Sequence, residues 1–257
     1  NARAIAGQWA HNYPDQPDRH SELGSGYGLE AYPNMSRMDW AVELFQWFNY
    51  YLKDIGDEPE PMVQIQTNDG RWHVEDTWPP EDMTWNLADI GTDWMVTGDT
   101  VNGQGASVTL VSGELTELTH ISGLPTLHLE VTTQACQGGQ IFATLYDNED
   151  NLRLGHATMD VRYRDGGYDA KATSPFSSYT MLMEFNPLDV VVPAGHTLRI
   201  ELTENGEDYL PSPCASNPLG GLTVDGGVVG LPIIDRPKSH DSWFLAPPWW
   251  EQQPIPE

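Results

Sequence analysis

The chain has 257 residues, and its 38 acidic against 12 basic residues give a formal net charge of −26 at pH 7. An apolar share of 39%, with ten Trp, ten Tyr and six Phe, is typical of a packed globular protein rather than of a disordered acidic tail. The length suits one large β domain, or a small fragment followed by a medium-sized domain. The sequence contains no basic stripe that could neutralise phosphates, which argues against nucleic acid as a partner. It also contains no run of about 18 apolar residues, which argues against a membrane span.

The acidic surface is the most unusual bulk feature. Only Lys53, Lys171 and Lys238 are lysines. Acid-rich, lysine-poor surfaces stay hydrated in concentrated salt, where the Debye length falls to about 3 Å at 1 M and the self-repulsion is screened. We therefore expect a salt-loving source, with the protein outside the cell or on its surface. The cytoplasm of an organism that accumulates salt is the alternative, as are an ordinary acidic secreted protein and an acidic metal-binding module.

Cys136 and Cys214 are the only cysteines, and neither stands in a spacing typical of metal ligands. Zinc is therefore not expected. The two residues form one disulfide if the protein is exported, or remain two buried thiols, and the sequence does not separate these cases.

The first elements predicted along the chain are a strand and a long loop. Residues Arg3 to Trp9 are mostly apolar and are expected to end a strand, and the polar segment from His11 to Pro33 is expected to be a functional loop. The chain starts at Asn1 without an initiating Met or a hydrophobic signal core, so an internal start produced by processing is expected.

A helix is predicted after this loop. Apolar residues recur at steps of three and four on one helical face, at Ala41, Leu44, Phe45, Phe48 and Leu52. Ser36 and Asp39 offer a start that resembles a capping box, and Lys53 with Gly56 offers a stop.

Beyond a linker of charged residues and prolines at 56–61, the period of the pattern changes to two, which indicates half-buried strands. The inward-facing sets are Leu127, Leu129 and Val131; Ile141, Ala143 and Leu145; Met159, Val161 and Tyr163; and Leu198, Ile200 and Leu202. Turn sequences such as Asp165-Gly166-Gly167, Pro193-Ala194-Gly195 and Asn205-Gly206 separate them. The predicted fold class is mainly β, with a β-sandwich of the jelly-roll type.

One segment closely resembles a known family. Gly7-Gln8-Trp9-Ala10-His11 is similar to the Gly-Pro-Trp-x-His segment of the serine hydrolases that include cocaine esterase, Xaa-Pro dipeptidyl-peptidases and α-amino acid ester hydrolases (the CocE/NonD group). Gln8 departs from the usual proline, which alters the rigidity of the loop more than its chemistry.

The resemblance continues in order from about residue 3 to residue 235. Residues 45–53 resemble the family's Trp-Phe-Asp…Leu-Lys helix, with Asn49 at the aspartate position, and residues 71–79 resemble the segment that leads into the C-terminal domain. Further matches are the strand at 152–164, the strand at 192–200, and Leu231-Pro232-Ile233. Each motif is weak alone, but their shared order is fairly specific.

The resemblance implies a division and a role for each part. Residues 1–57 would be the C-terminal segment of an α/β-hydrolase domain, and residues 58–257 a galactose-binding-like jelly-roll sandwich that helps to wall the active site. His11 would be the general base of the catalytic triad, and Trp9 and Tyr13 could line an acyl or peptide pocket, although packing is the more common role for such aromatics.

The other parts of the triad are not found in this sequence. In α/β-hydrolases the serine lies on a Gly-x-Ser-x-Gly elbow and precedes the acid and the histidine in the chain. No such elbow occurs here, and Gly24-Ser25-Gly26 follows His11 instead. The chain by itself is thus expected to be inactive and to need a hydrolase portion as its partner, acting without a cofactor on a peptide or an ester. Self-association into a homo-oligomer stays open.

The rival hypothesis is a non-catalytic module in which the sandwich recognises a carbohydrate or a protein surface. A structural surface protein of a halophile is a third reading. The acidic loop at 147–150 could bind calcium through oxygen ligands, but a solvated turn is the expected role. The remaining histidines, including His128 and His196, form no spaced ligand set.

Overall fold

The computed structural model describes residues 4–6, 40–59, 63–68, 72–136, 138–166, 168–206, 210–217 and 219–235. The chain divides into two compact units, one formed by residues 1–82, 189–191 and 235–257 and the other by residues 83–188 and 192–234. The division predicted between residues 57 and 58 stays a prediction.

The first unit contains one helix and a small sheet. Strand β1 (Ala4–Ala6) lies parallel to β2 (Val63–Gln66), which pairs antiparallel with β3 (Trp72–Glu75). Residues 4–6 fall within the strand predicted at Arg3–Trp9, and the rest of that segment lies outside the described residues.

Helix α1 spans Trp40–Lys53, as the three- and four-residue periodicity predicts. It ends where Asp54 takes a left-handed backbone conformation with φ of 56°. The backbone N–H of Asp54 donates to Tyr50 O and that of Ile55 to Asn49 O, each at 3.0 Å, which satisfies carbonyl groups of the last turn. Gly56, the predicted stop, also has positive φ at 89°. No described helix is long and apolar enough to cross a membrane.

The second unit is built from two antiparallel sheets. The five-stranded sheet has the order β11-β10-β14-β7-β5. Its strands are β5 (Met95–Thr97), β7 (Val108–Val111), β10 (Gln140–Asp147), β11 (Leu152–Asp160) and β14 (Leu198–Thr203).

The other sheet has the order β12-β9-β15-β8-β13, and β4 and β6 also pair with its long strand β15. Its strands are β4 (Thr84–Asp89), β6 (Thr100–Val101), β8 (Thr119–Gly123), β9 (Thr126–Thr133), β12 (Ser178–Glu184), β13 (Leu188–Val192) and β15 (Leu222–Ile234). A bulge in β15 between Val224 and Gly226 precedes Gly227, where a Cβ atom would lie 2.0 Å from His128 O. Only glycine fits there.

The core between the sheets follows the predicted alternation. Leu127, Leu129 and Val131 of β9 are fully buried, whereas His128 and Glu130 between them are exposed. The predicted inward sets of β10 and β14 are likewise fully buried: Ile141, Ala143 and Leu145, and Leu198, Ile200 and Leu202. Each such side chain contributes about 1.5–3 kcal/mol by leaving water.

The alternation predicted for Met159, Val161 and Tyr163 is wrong. A bulge shifts the register of β11 against β10 between Leu145 and Tyr146, so Leu152, Leu154 and Ala157 face inward and Met159 is half-buried. The strand then ends at Asp160, whose side chain caps a 3₁₀ turn over Val161–Tyr163.

The mainly β class and the sandwich architecture are confirmed. The galactose-binding-like detail implied by the family resemblance stays a prediction.

Candidate functional site

The predicted site residues His11, Trp9 and Tyr13 lie outside the described residues, so their roles stay predictions. The described part of the chain contains four other features that could serve function: an exposed apolar helix face, a His–Asp pair beside a glutamate, a crevice, and a buried carboxyl group near a disulfide.

Helix α1 exposes the apolar face that its sequence pattern defines. Phe45 is 63% exposed and Leu52 is 75% exposed, and Leu44 and Phe48 beside them are also exposed. We call these four residues the α1 apolar face. An amphipathic helix of a folded protein normally buries such a face, so its exposure marks a contact surface.

A histidine and two carboxylates meet where β10 ends and β14 begins. His196 Nδ1 lies 2.8 Å from Asp147 Oδ1, and Asp147 is fully buried while His196 is partly exposed. Asp147 pairs in register with Leu198 across the two strands, which brings His196 alongside although 49 residues separate the two. The sequence gave no periodic signal for this pair, because the contact depends on the pairing of β10 with β14.

Glu149 completes this cluster. Thr197 donates its backbone N–H to Glu149 Oε2 at 2.6 Å and its hydroxyl to Oε1 at 3.0 Å. These bonds, the backbone bond first, lower the pKa of Glu149. Asp147, Glu149 and His196 have potential metal-ligand atoms within 4.8 Å of one another. Each of the three already has a protein partner, so the arrangement is explained as a hydrogen-bonded clasp between strands, and the solvated turn predicted here stays a prediction.

A crevice of about 290 Å³ opens between β4 and the segment that follows β7. Buried Leu198, Val229 and Leu231 form its floor, and Asp93 and Glu114 lie at its exposed rim. Its apolar floor and polar rim are common features of small-molecule sites. Asp93 Oδ2 already accepts the backbone N–H of Asp89 at 2.8 Å, so Glu114 is the rim group with more freedom to meet a ligand.

Glu204 is the buried carboxyl group of the second unit. It is 1% exposed, and neither of its oxygens makes a hydrogen bond within the described residues. Burial raises its pKa, nearby Ser212 and Gly103 act to lower it, and Asp160 raises it further. The sequence places Glu204 at the polar end of a strand and gives no sign of this burial.

Cys136 and Cys214 form a disulfide, with 5.9 Å between their Cα atoms. This outcome settles the two alternatives that the sequence left open. The bond closes a loop of 78 residues that contains β10 to β14.

Replacing Glu204 by Gln tests its burial through pH. A raised folded-state pKa means that folding favours the protonated group, so its stabilising contribution is complete below the ordinary value of 4.5 and is lost as pH rises through the raised value. We expect Glu204→Gln to match the wild type in free energy of unfolding near pH 4 and to exceed it by about 1–3 kcal/mol at pH 8. Urea unfolding across this range measures the difference, and Glu201→Gln in the same strand, which changes an exposed group, is the control. A constant difference at all pH values would contradict the assignment.

Comparison with known proteins identifies the class of the sandwich. Residues 93–219 match the family model of the X-Pro dipeptidyl-peptidase C-terminal non-catalytic domain. A Bacillus anthracis protein named as an Xaa-Pro dipeptidyl-peptidase is 24% identical over 229 residues, covering 77% of this chain and 38% of the relative. The chain therefore spans well under half of that relative's length.

Solved structures share the fold. An aminopeptidase from a marine sediment Thaumarchaeota archaeon has a TM-score of 0.63 at 14% identity, covering 90% of this chain and 49% of that one. A CocE/NonD family hydrolase from Staphylococcus aureus has a TM-score of 0.56 at 14% identity, with coverage of 80% and 47%. An α-amino acid ester hydrolase has a TM-score of 0.54 at 15% identity, with coverage of 90% and 50%.

These findings define the sandwich as an accessory, non-catalytic β domain of a hydrolase. The resemblance drawn from the sequence is confirmed: the chain is a C-terminal portion of an enzyme of the X-Pro dipeptidyl-peptidase and CocE/NonD hydrolase family.

Proposed function

We propose that this chain works as the C-terminal part of a serine hydrolase that transfers an acyl group to water, cleaving an ester or an Xaa-Pro peptide bond. The observation that carries the proposal is the family match of the sandwich, joined to the Gly-x-Trp-x-His sequence at residues 7–11. In this role His11 accepts the proton of the serine hydroxyl and then donates it to the leaving group. The sandwich walls the active site.

The partner in this proposal is a hydrolase portion that supplies the serine and the acid, within the same polypeptide or as a second chain. The α1 apolar face supports it, because an exposed strip with Phe45 and Leu52 at its centre fits an apolar surface on a neighbouring folded unit.

Reconstitution tests the proposal. The gene region upstream is sequenced for a Gly-x-Ser-x-Gly elbow, and its product is co-expressed with this chain. An Xaa-Pro p-nitroanilide and a p-nitrophenyl ester then separate peptidase from esterase activity. We expect activity from the pair and none from this chain alone, whereas an unrelated upstream product or an inactive pair would favour the binding module.

The α1 apolar face gives a mutational test of the same assembly. We expect Phe45→Ser with Leu52→Ser to weaken association with the hydrolase portion by about 10-fold or more, because both side chains lose buried apolar area. Sedimentation or co-purification measures the association. Leu182→Ser, at a partly exposed position on β12, is the matched control; equal association of all three proteins would reject this face as the contact.

The proposed location is outside the cell in concentrated salt. The disulfide fits an oxidising compartment, and the net charge of −26 fits a high-salt medium.

Unfolding temperature should depend steeply on salt. Screening of the acidic surface is expected to raise it by on the order of 10 °C between about 0.05 and 2 M NaCl. Differential scanning calorimetry measures the rise. A parallel titration near pH 4, where many carboxylates are protonated, should give a much smaller rise, and a flat response at pH 7 would remove the high-salt assignment.

A further inference from the structure

Glu204 lies at the point where the chain leaves β14, and it enters the protein interior instead of solvent. A carboxyl group without hydrogen-bond partners is costly to bury, and a charged one is more costly still. Surface carboxylates are abundant in this chain, with 38 acidic residues, so the burial of this one depends on the segments that cover it.

The main cover is residues 210–217, which we call the cap segment. Its Ser212 is buried and accepts the backbone N–H of Cys214 at 3.0 Å, while Ser212 O accepts the N–H of Ala215 at 3.0 Å. The cap segment thus turns tightly over Glu204 with its serine hydroxyl on the buried side.

The turn between β6 and β7 closes on the cap segment from the other side. A Cβ atom on Gly103 would lie 2.0 Å from Ala215 O, so the two backbones touch directly. Gln104 Nε2 donates to Ala215 O at 3.4 Å, a long and exposed bond. Little else in hydrogen bonding ties the cap segment to this turn within the described residues.

The covalent tie is the disulfide. Cys214, two residues after Ser212, is bonded to Cys136, which follows β9. Cys214 is 1% exposed. We propose that this disulfide is a redox latch: it holds the cap segment over Glu204, and its reduction opens the cap segment and admits water to the carboxyl group.

The charges around Glu204 set the direction of its response. Asp160 lies near it, held by Arg162, whose Nε donates to Oδ1 at 3.0 Å and whose Nη2 donates to Oδ2 at 2.6 Å. Burial is the first cause of the raised pKa of Glu204, and the negative charge of Asp160 adds to it. Opening removes the first cause, so the group should then ionise near its ordinary value. Glu207 and Asp208 follow in the sequence and lie outside the described residues.

The redox step is ordinary thiol–disulfide exchange. A dithiol reductant donates two electrons and two protons, the Cys136–Cys214 bond breaks to two thiols, and the reductant closes to its own disulfide. At neutral pH the opened Glu204 then releases its proton to solvent.

Carbon-13 NMR of glutamate side chains tests the latch on the whole chain, with and without excess dithiothreitol. In the oxidised protein we expect Glu204 to titrate above 4.5, and in the reduced protein to titrate close to 4.5, while exposed Glu201 is unchanged by reduction. Cys136→Ala with Cys214→Ala should give the reduced behaviour with or without dithiothreitol. Amide exchange should rise by about 10-fold or more in residues 210–217, while β9 stays protected.

Two results would overturn the latch. One is the same titration of Glu204 in both redox states. The other is loss of protection throughout β9 and β10 on reduction, since that is global unfolding and not opening of the cap segment. The test measures no enzymatic activity, so it stands whether or not the hydrolase function is confirmed.

Discussion

Replacing His11 by Ala should lower kcat/KM of the reconstituted hydrolase by about 10⁴-fold or more, with little change in folding. The reason is chemical. A serine hydroxyl is a poor nucleophile until a base removes its proton, and the leaving group needs that proton back. An imidazole with an ordinary pKa near 6.5 serves both steps near neutral pH. Removing it leaves only the rate enhancement that comes from substrate binding and oxyanion stabilisation.

The design includes a matched histidine and a second readout. His128→Ala removes an exposed imidazole from the outer face of β9 and should keep activity within about 2-fold, since surface changes seldom disturb a site. The acid limb of the pH dependence of kcat/KM should fall near 6.5 in the wild type and in His128→Ala. If His11→Ala retained activity within tenfold and kept that limb, the triad role would be wrong.

The parts of the fold that the sequence could predict are those in which a local pattern faces a single environment. The alternation of β9, β10 and β14 follows from burial of one sheet face, so Leu129 and its neighbours could be placed from their spacing alone. Met159 broke this rule because one extra residue in β11 reverses which side chains face inward. A bulge of this kind has no signal in the alternation itself.

The contacts that depend on distant segments could not be predicted. His196 meets Asp147 only because β14 pairs with β10, and Glu204 is buried only because the cap segment lies over it. Helix α1 is a related case. Its periodicity predicted the helix, but the exposure of Phe45 and Leu52 became visible only in the structure. A pattern of apolar residues defines a face that needs a partner without saying which surface provides it.

The second large effect concerns stability. We expect loss of the Cys136–Cys214 bond to lower the free energy of unfolding by about 4 kcal/mol, because the bond closes a loop of 78 residues and restricts the unfolded chain. For a domain of this size the unfolding temperature should fall by about 10 °C. Calorimetry of Cys136→Ala with Cys214→Ala, against the oxidised wild type, measures both quantities.

Dithiothreitol supplies the control that separates the bond from the side chains. Cys214 is buried, so its replacement by Ala also removes packing, at about 1 kcal/mol. The reduced wild type keeps both sulfur atoms and loses only the bond. It should therefore unfold close to the double variant, slightly above it, and the variant itself should not respond to the reductant. If reduction left the unfolding temperature of the wild type unchanged, restriction of the 78-residue loop would not contribute to stability, and the hold on the cap segment would have to come from packing around Ala215 and Gly103 instead.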